Sequence, residues 1–250
     1  MVDPVVAEVA AMLARLSALT LEPAPGADAD RIDRIAAFER MRGALAAAQQ
    51  AEVVAFARSQ VEAQIADDRL DPAAVGRGIG DQIGLACRVS PFHGSRRLGI
   101  ARALHFDLPG VRDLLANGRI SEELAATVVS ETRHLDAERR RLVDKQICAA
   151  EIEQLSPRRA AAVAGRLAYE ADRAAYVARG RTARKDRRVG LRPAPDTMSV
   201  LSGFLPVEQG VACLAARAGV ARAARSWPTP LSNASRDRLA PPTSTSRSAS

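Results

Sequence analysis

The segment from Asp30 to Ile65 constrains this chain more than any other. Over these 36 residues apolar side chains return at helical intervals: Ile32, Ile35, Phe38, Met41, Leu45, Val53, Phe56 and Ile65 are expected near one face, with Arg, Glu and Gln filling the rest. At 1.5 Å per residue such a helix is about 54 Å long. One short neighbour cannot cover it, so a bundle or a helical oligomer is expected.

The flanking sequence reads in the same way. "DPVVAEVAAMLARLSALT" opens a helix, with Asp3 placed to accept from free amides and Pro4 suited to the first helical position. Val5, Val9, Met12, Leu16 and Leu19 form its apolar stripe. After the linker "EPAPGADAD" and the long helix, further helices are expected at 81–89 and 91–105, the second with Leu98, Ile100, Ala101 and Leu104 as core candidates. "LPGVRDLLANGRISEELAATVVSETRHLDAERRRLVDKQI" divides into three more. Gly118 is expected as a left-handed C-terminal cap, Ser121 as the next N-cap, Leu124, Val128 and Thr132 as the buried side, and Asp136 as the start of a helix reaching Glu153. Ser156-Pro157 opens a single helix to Gly180. "RRVGLRPAPDTMSVLSGFLP" alternates around a turn at Pro193–Thr197 and predicts a small β-hairpin. A last helix starts at Pro206 and is expected to break off near Ala216.

Composition agrees with a mainly α fold. Of 250 residues 51 are Ala and only 3% are aromatic, so strand-forming blocks are scarce and helix formers dominate. The expected architecture is a multi-helix bundle with a long N-terminal helix, a small β-hairpin near 187–205 and a disordered C-terminal tail. The expected domains are an N-terminal helix and linker at 1–27, a helical module at 28–216, and the tail at 217–250. No signal-like or membrane-spanning segment is read, which predicts a cytoplasmic protein with no membrane partner.

Most candidate chemistries fall away on spacing. Cys87, Cys148 and Cys213 are odd in number and far apart, which disfavours a disulfide framework or a zinc site. His93, His105 and His134 never lie three or four residues apart, so no helix offers a paired ligand set. "GRGIGDQIG" (Gly76, Gly78, Gly80, Gly84) has neither the preceding strand nor the spacing of a dinucleotide loop, and reads as a flexible connection. No cofactor, no metal, no small-molecule substrate and no catalytic residue are assigned.

What stands out is charge. Residues 157–192 carry eleven basic and three acidic side chains, whereas residues 1–156 are mildly acidic. The candidate nucleic-acid contacts are Arg158, Arg159, Arg179, Arg181, Arg184, Lys185, Arg187 and Arg188, with Arg166 and Arg173 nearby. A solvated polar face is the competing reading. The cluster has no interleaved aromatics for stacking on single strands and no helix-turn-helix spacing.

Three stretches, "GRGIGDQIGLACRVSPFHGSRRLGIARAL", "LPGVRDLLANGRISEELAATVVSETRHLD" and "DRRVGLRPAPDTMSVLSGFLPVEQGVACLAA", resemble the 13E12-repeat family, an actinobacterial multicopy family whose N-terminal module is domain of unknown function 222. The resemblance spans roughly residues 30–216. It implies a helical module that in relatives usually precedes an HNH nuclease domain with a His-rich, often zinc-supported site. After residue 216 this sequence has no His and no Cys, so no nuclease residue carries over.

The tail "WPTPLSNASRDRLAPPTSTSRSAS" departs from everything before it. With GC-rich codons, the frame one base earlier can read "MADTLVERVTGQARAADVNVEVGI", a helix-then-strand pattern. A frame change between Ala212 and Trp227, truncating the nuclease-associated protein, is therefore expected. The positive charge of the tail then says nothing about binding, and residues 1–216 carry a net charge of only +2. Two functions follow. One is a non-catalytic module that contacts DNA or a partner protein through the Arg158–Arg192 region. The other is a self-associating module, acting through the long helix with no nucleic-acid role, or the inactive product of a pseudogene.

Overall fold

A computed structural model describes residues 3–21, 25–67 and 71–225, the side chains of Thr20, Leu21 and 217–225 excepted. Its elements run α1 (Pro4–Leu21), α2 (Asp28–Ala66), α3 (Ile79–Ala86), α4 (Pro91–Phe106), α5 (Pro109–Ala116), α6 (Glu122–Thr132), α7 (Ala137–Ala149), α8 (Pro157–Ala171), α9 (Arg173–Lys185), β1 (Arg188–Pro193), β2 (Ser199–Phe204) and α10 (Val207–Arg225). The chain falls into two compact units that divide between Arg179 and Gly180, inside the stretch read from sequence as one helical module.

Local chemistry places most of the helix starts. Asp3 accepts from the Val5 amide at 2.8 Å, Ser121 from Leu124 at 3.2 Å and Asp136 from Arg139 at 2.8 Å, while Pro4, Pro91, Pro109 and Pro157 each open a helix. Gly118 takes φ +64° just past the end of α5. Its backbone is passed so closely by Arg40 of α2 that a Cβ there would collide with it.

The first unit is built around one apolar cluster. Leu104, Leu108, Val111, Leu115, Val128 and Ile147 sit at its centre, essentially without solvent contact. Ala160, Ala164 and Ala168 of α8 are also fully buried. Their four-residue spacing puts them on one face, where the missing bulk lets α8 lie close to α6 and α7. A smaller cluster joins Ala57 of α2 to Ile79 and Ile83 of α3, with Val53, Phe56, Val61 and Leu98 packed against it.

Four differences from the sequence reading have physical causes. First, "GRGIGDQIG" is only partly a connection. Gly76 and Gly78 have positive φ, and Gly78 is the N-cap of α3, but Gly80 and Gly84 are buried inside that helix. A Cβ on Gly94 of α4 would collide with the Gly80 carbonyl and the Gly84 backbone, so these glycines set a very close α3–α4 crossing. Second, α7 ends at Ala149, well before Glu153. Glu151 turns left-handed at φ 47°, and a short 3-10 turn, Ile152–Gln154, follows, with Ile152 fully buried. Third, the helix expected over 157–180 is two helices, divided at Asp172. Fourth, α10 continues nine residues beyond the expected break at Ala216. Those residues, "RAGVARAAR", are rich in the strong helix formers Ala and Arg. The tail read as frame-shifted and disordered lies mostly beyond Arg225, outside the described residues.

The long helix also faces differently from expectation. Gly43, Val54 and Ala57 are its buried residues, with Ala47 and Val61 on the same side. Ile35, Phe38, Met41 and Leu45 lie roughly opposite and are exposed, as are Ile32 and Ile65. Only Val53 and Phe56 of the expected stripe reach a core cluster.

Candidate nucleic-acid interface

The arginine-rich region begins with a break that separates α8 from α9. Asp172 leaves helical geometry at φ −154°, ψ 90°. Its carboxylate accepts from the Ala175 amide at 2.8 Å, capping α9, and lies 3.3 Å from the Arg139 guanidinium. The start of α9 is tied to the first unit. Arg173 lies over the Tyr169 ring at 5.5 Å, and Tyr176 meets the edges of Tyr169 and His134 at 5.3 and 5.5 Å. Arg179 donates to the Glu131 carbonyl at 3.2 Å, with the Glu131 carboxylate 4.0 Å away.

Beyond Gly180 the basic residues are differently placed. Arg181, Arg184 and Lys185 lie on the end of α9, where cations offset the negative end of the helix dipole. Arg187 leads into β1, which carries Arg188 and Arg192. All six are exposed. Arg184 pairs with Glu208 of α10 at 3.0 Å, both side chains more than half exposed. Arg181, Lys185, Arg187 and Arg192 make no ion pair among the described residues.

The hairpin sorts these charges onto one side. β1 and β2 pair antiparallel, with Arg188 opposite Phe204, Gly190 opposite Ser202 and Arg192 opposite Val200. Alternation therefore gives one face Arg188, Arg192, Ser202, Val200 and Phe204, and the other Val189, Leu191 and Leu201. Arg188 covers the Phe204 ring at 5.1 Å. Phe204 is the residue that sequence reasoning missed. It lies 16 positions from Arg188, and only the strand register brings an aromatic ring into the basic cluster. Asp196 and Thr197 form the turn with positive φ.

The eight expected contacts are thus not one constellation. Arg181, Arg184, Lys185, Arg187 and Arg188 form a continuous basic run in the second unit. Arg158 and Arg159 are exposed in the first turn of α8 in the first unit, and Arg179 is a half-buried anchor held by Glu131.

Each histidine and the buried Asp144 have neighbours within the first unit. His93 Nδ1 lies 2.8 Å from the Ser90 hydroxyl, His105 stacks edge-on to Phe106, and His134 Nε2 is 3.3 Å from the Ala168 carbonyl. No group of three or more His, Cys, Asp or Glu converges among the described residues. Asp144 is buried and accepts from the Gly110 amide at 2.8 Å and the Val111 amide at 3.0 Å, supplying the start of α5 with the acceptor that Leu108 cannot provide. Burial raises its carboxyl above the usual carboxylate range, and the two amides oppose that rise without cancelling it. Burial likewise pushes the neighbouring Cys148 thiol up to about 11. No described helix is long and apolar enough to cross a membrane.

A family profile described as "Domain of unknown function (DUF222)" matches residues 7–238. The chain belongs to this family. The match takes in all of the second unit's described residues and extends past Arg225. No curated protein and no solved structure matches the chain. For the DUF222 module, then, the Leu108-Pro109-Gly110 start of α5 is a packing device. Leu108 is fully buried, Pro109 opens the helix, and a Cβ on Gly110 would press on Cys148 and Asp144.

Proposed function

We propose that this DUF222 chain is a non-catalytic helical module that binds nucleic-acid phosphates through the basic run of its second unit. The observation that carries the reading is the hairpin face on which Arg188, Arg192 and Phe204 come together, next to Arg181, Lys185 and Arg187. Exposed guanidinium groups release counterions from a phosphate backbone, and an exposed ring beside them offers a stacking surface. Arg158 and Arg159 add exposed charge in the first unit, whereas Arg179 is spent on Glu131. The resemblance to modules that precede HNH nuclease domains fits a DNA-contacting role, with cleavage assigned to no residue of this chain.

Fluorescence anisotropy with a labelled DNA duplex and a labelled single strand tests the reading. With about four phosphates neutralised, affinity should fall roughly 100-fold between 50 and 200 mM salt. The Lys185→Ala, Arg187→Ala, Arg192→Ala triple variant should lower the slope by about three phosphates' worth. Phe204→Ala should weaken the single strand more than the duplex. Absence of binding at 50 mM salt, or a triple variant that binds like the parent, removes the nucleic-acid role.

A further inference from the structure

The first 45 residues carry an apolar surface that the chain itself leaves open. α1 has no extended packing against any other element, and its stripe, including Val5, Val9, Met12 and Leu19, is exposed. The first half of α2 repeats the pattern with Ile35, Phe38, Met41 and Leu45. On α2 this is the face turned away from Gly43 and Val54, so the helix is apolar on both sides and has only one side covered. The same outward face runs on to Val53 and Phe56, where an apolar groove is completed by Leu85, Ala86 and Cys87.

Three observations point to the same occupant. The first is size. At roughly 60–120 Å² of apolar surface per exposed side chain, the seven aliphatic and Met residues named above plus Phe38 offer on the order of 800 Å². That is about one partner's share of a stable protein interface. The second is charge. Residues 28–33 of α2 carry three acids and one base, whereas residues 34–42 carry three bases and one acid. Two α2 helices laid antiparallel bring each acidic end beside the other's basic stretch, which is the self-complementarity a two-fold interface requires. The third is the polar side of α1, whose only charges are Glu8 and Arg15. A helix built to lie on an anionic membrane surface carries a row of Lys and Arg there instead.

We propose that a second copy of this chain covers this surface, α1 and the first half of α2 from each copy packing about a two-fold axis into a four-helix assembly. This interface is independent of the phosphate-binding residues and stands or falls apart from them. Sedimentation equilibrium of the full chain at 150 mM salt should return twice the 26.6 kDa chain mass. The Phe38→Glu, Leu45→Glu and Val9→Glu, Met12→Glu double variants alter exposed positions only, so each should keep the parent's helical circular dichroism while raising the dimer dissociation constant at least 100-fold. Leu142→Glu, on an exposed apolar residue of α7, should leave the dimer intact. A parent chain that stays at 26.6 kDa at 200 µM overturns the proposal, whether α1 folds back on its own α2 or the monomer instead sediments with anionic vesicles. A dimer that survives both double variants overturns it as well.

Discussion

Asp144 caps a helix from outside that helix, and its surroundings leave it little freedom. Removing it (Asp144→Ala) strands the Gly110 and Val111 amides at the buried start of α5, at a cost of about 2–4 kcal/mol in urea melts. Its raised carboxyl also sets a sign. Stability from a carboxyl whose folded value lies above the unfolded 3.8 is fully present below that unfolded value and is lost as pH rises through the folded one. The stability gap between the parent and Asp144→Asn should therefore be widest at low pH and narrow as pH increases, as paired melts at pH 4 and pH 7 would show. Gly110→Ala drives a methyl toward Cys148 Sγ and should cost about 1–3 kcal/mol. The thiols themselves report on burial. In a thiol-disulfide exchange assay at pH 7.5, exposed Cys213 should react at once, whereas half-buried Cys148, pushed up to about 11, should react far more slowly until the chain unfolds.

At the scale of elements, what could be read in advance was whatever a few neighbouring residues decide. The caps at Asp3, Ser121 and Asp136 and the prolines that open helices act within one turn, so their sequence is their structure. The buried trio Leu124, Val128 and Thr132 followed from spacing alone. Harder were cases in which two choices look alike locally. α2 carries apolar residues on both sides, and the small ones, Gly43, Ala47 and Ala57, are those that face the body because they permit close approach. The division at Asp172 lies in the stretch LAYEADRAAYV, with no Gly or Pro to mark it, where the Asp172 carboxylate caps α9 and pairs with the distant Arg139. Of the candidate site, the basic run was legible as charge, but Phe204 was not, since strand pairing supplies it. The α3–α4 crossing gives the sharpest test at this scale. Gly94→Ala should destabilise by about 2–3 kcal/mol, because the obstacle is backbone and cannot turn aside, whereas Gly99→Ala on the same helix meets nothing and should be neutral or slightly stabilising.

Across the molecule, stability is unevenly shared. The first unit holds the buried clusters, and the second contains a two-stranded hairpin with every residue exposed. Such a hairpin is marginal by itself. Amides of Val189–Phe204 should exchange hydrogen orders of magnitude faster than those of Leu115 and Val128, which are fully buried in α5 and α6. Binding through the Arg188–Phe204 face should slow that exchange, so protection appearing there on adding DNA, with none at Leu115, would locate the contact.

The glycine crossing of α3 and α4 also bears on how such a module drifts over time. At Gly94 the neighbour is the carbonyl of Gly80, so any replacement adds atoms where backbone already stands. Exchange at a side-chain contact can be answered by a smaller partner across the way, but here no smaller partner exists. A related chain bearing a side chain at the equivalent of Gly94 therefore has to hold these helices farther apart. It then has to fill the gap around Ile79 and Ile83 with larger residues. The residue a relative carries at the equivalent of Gly94 thus tells, from its sequence alone, whether it can hold the close crossing.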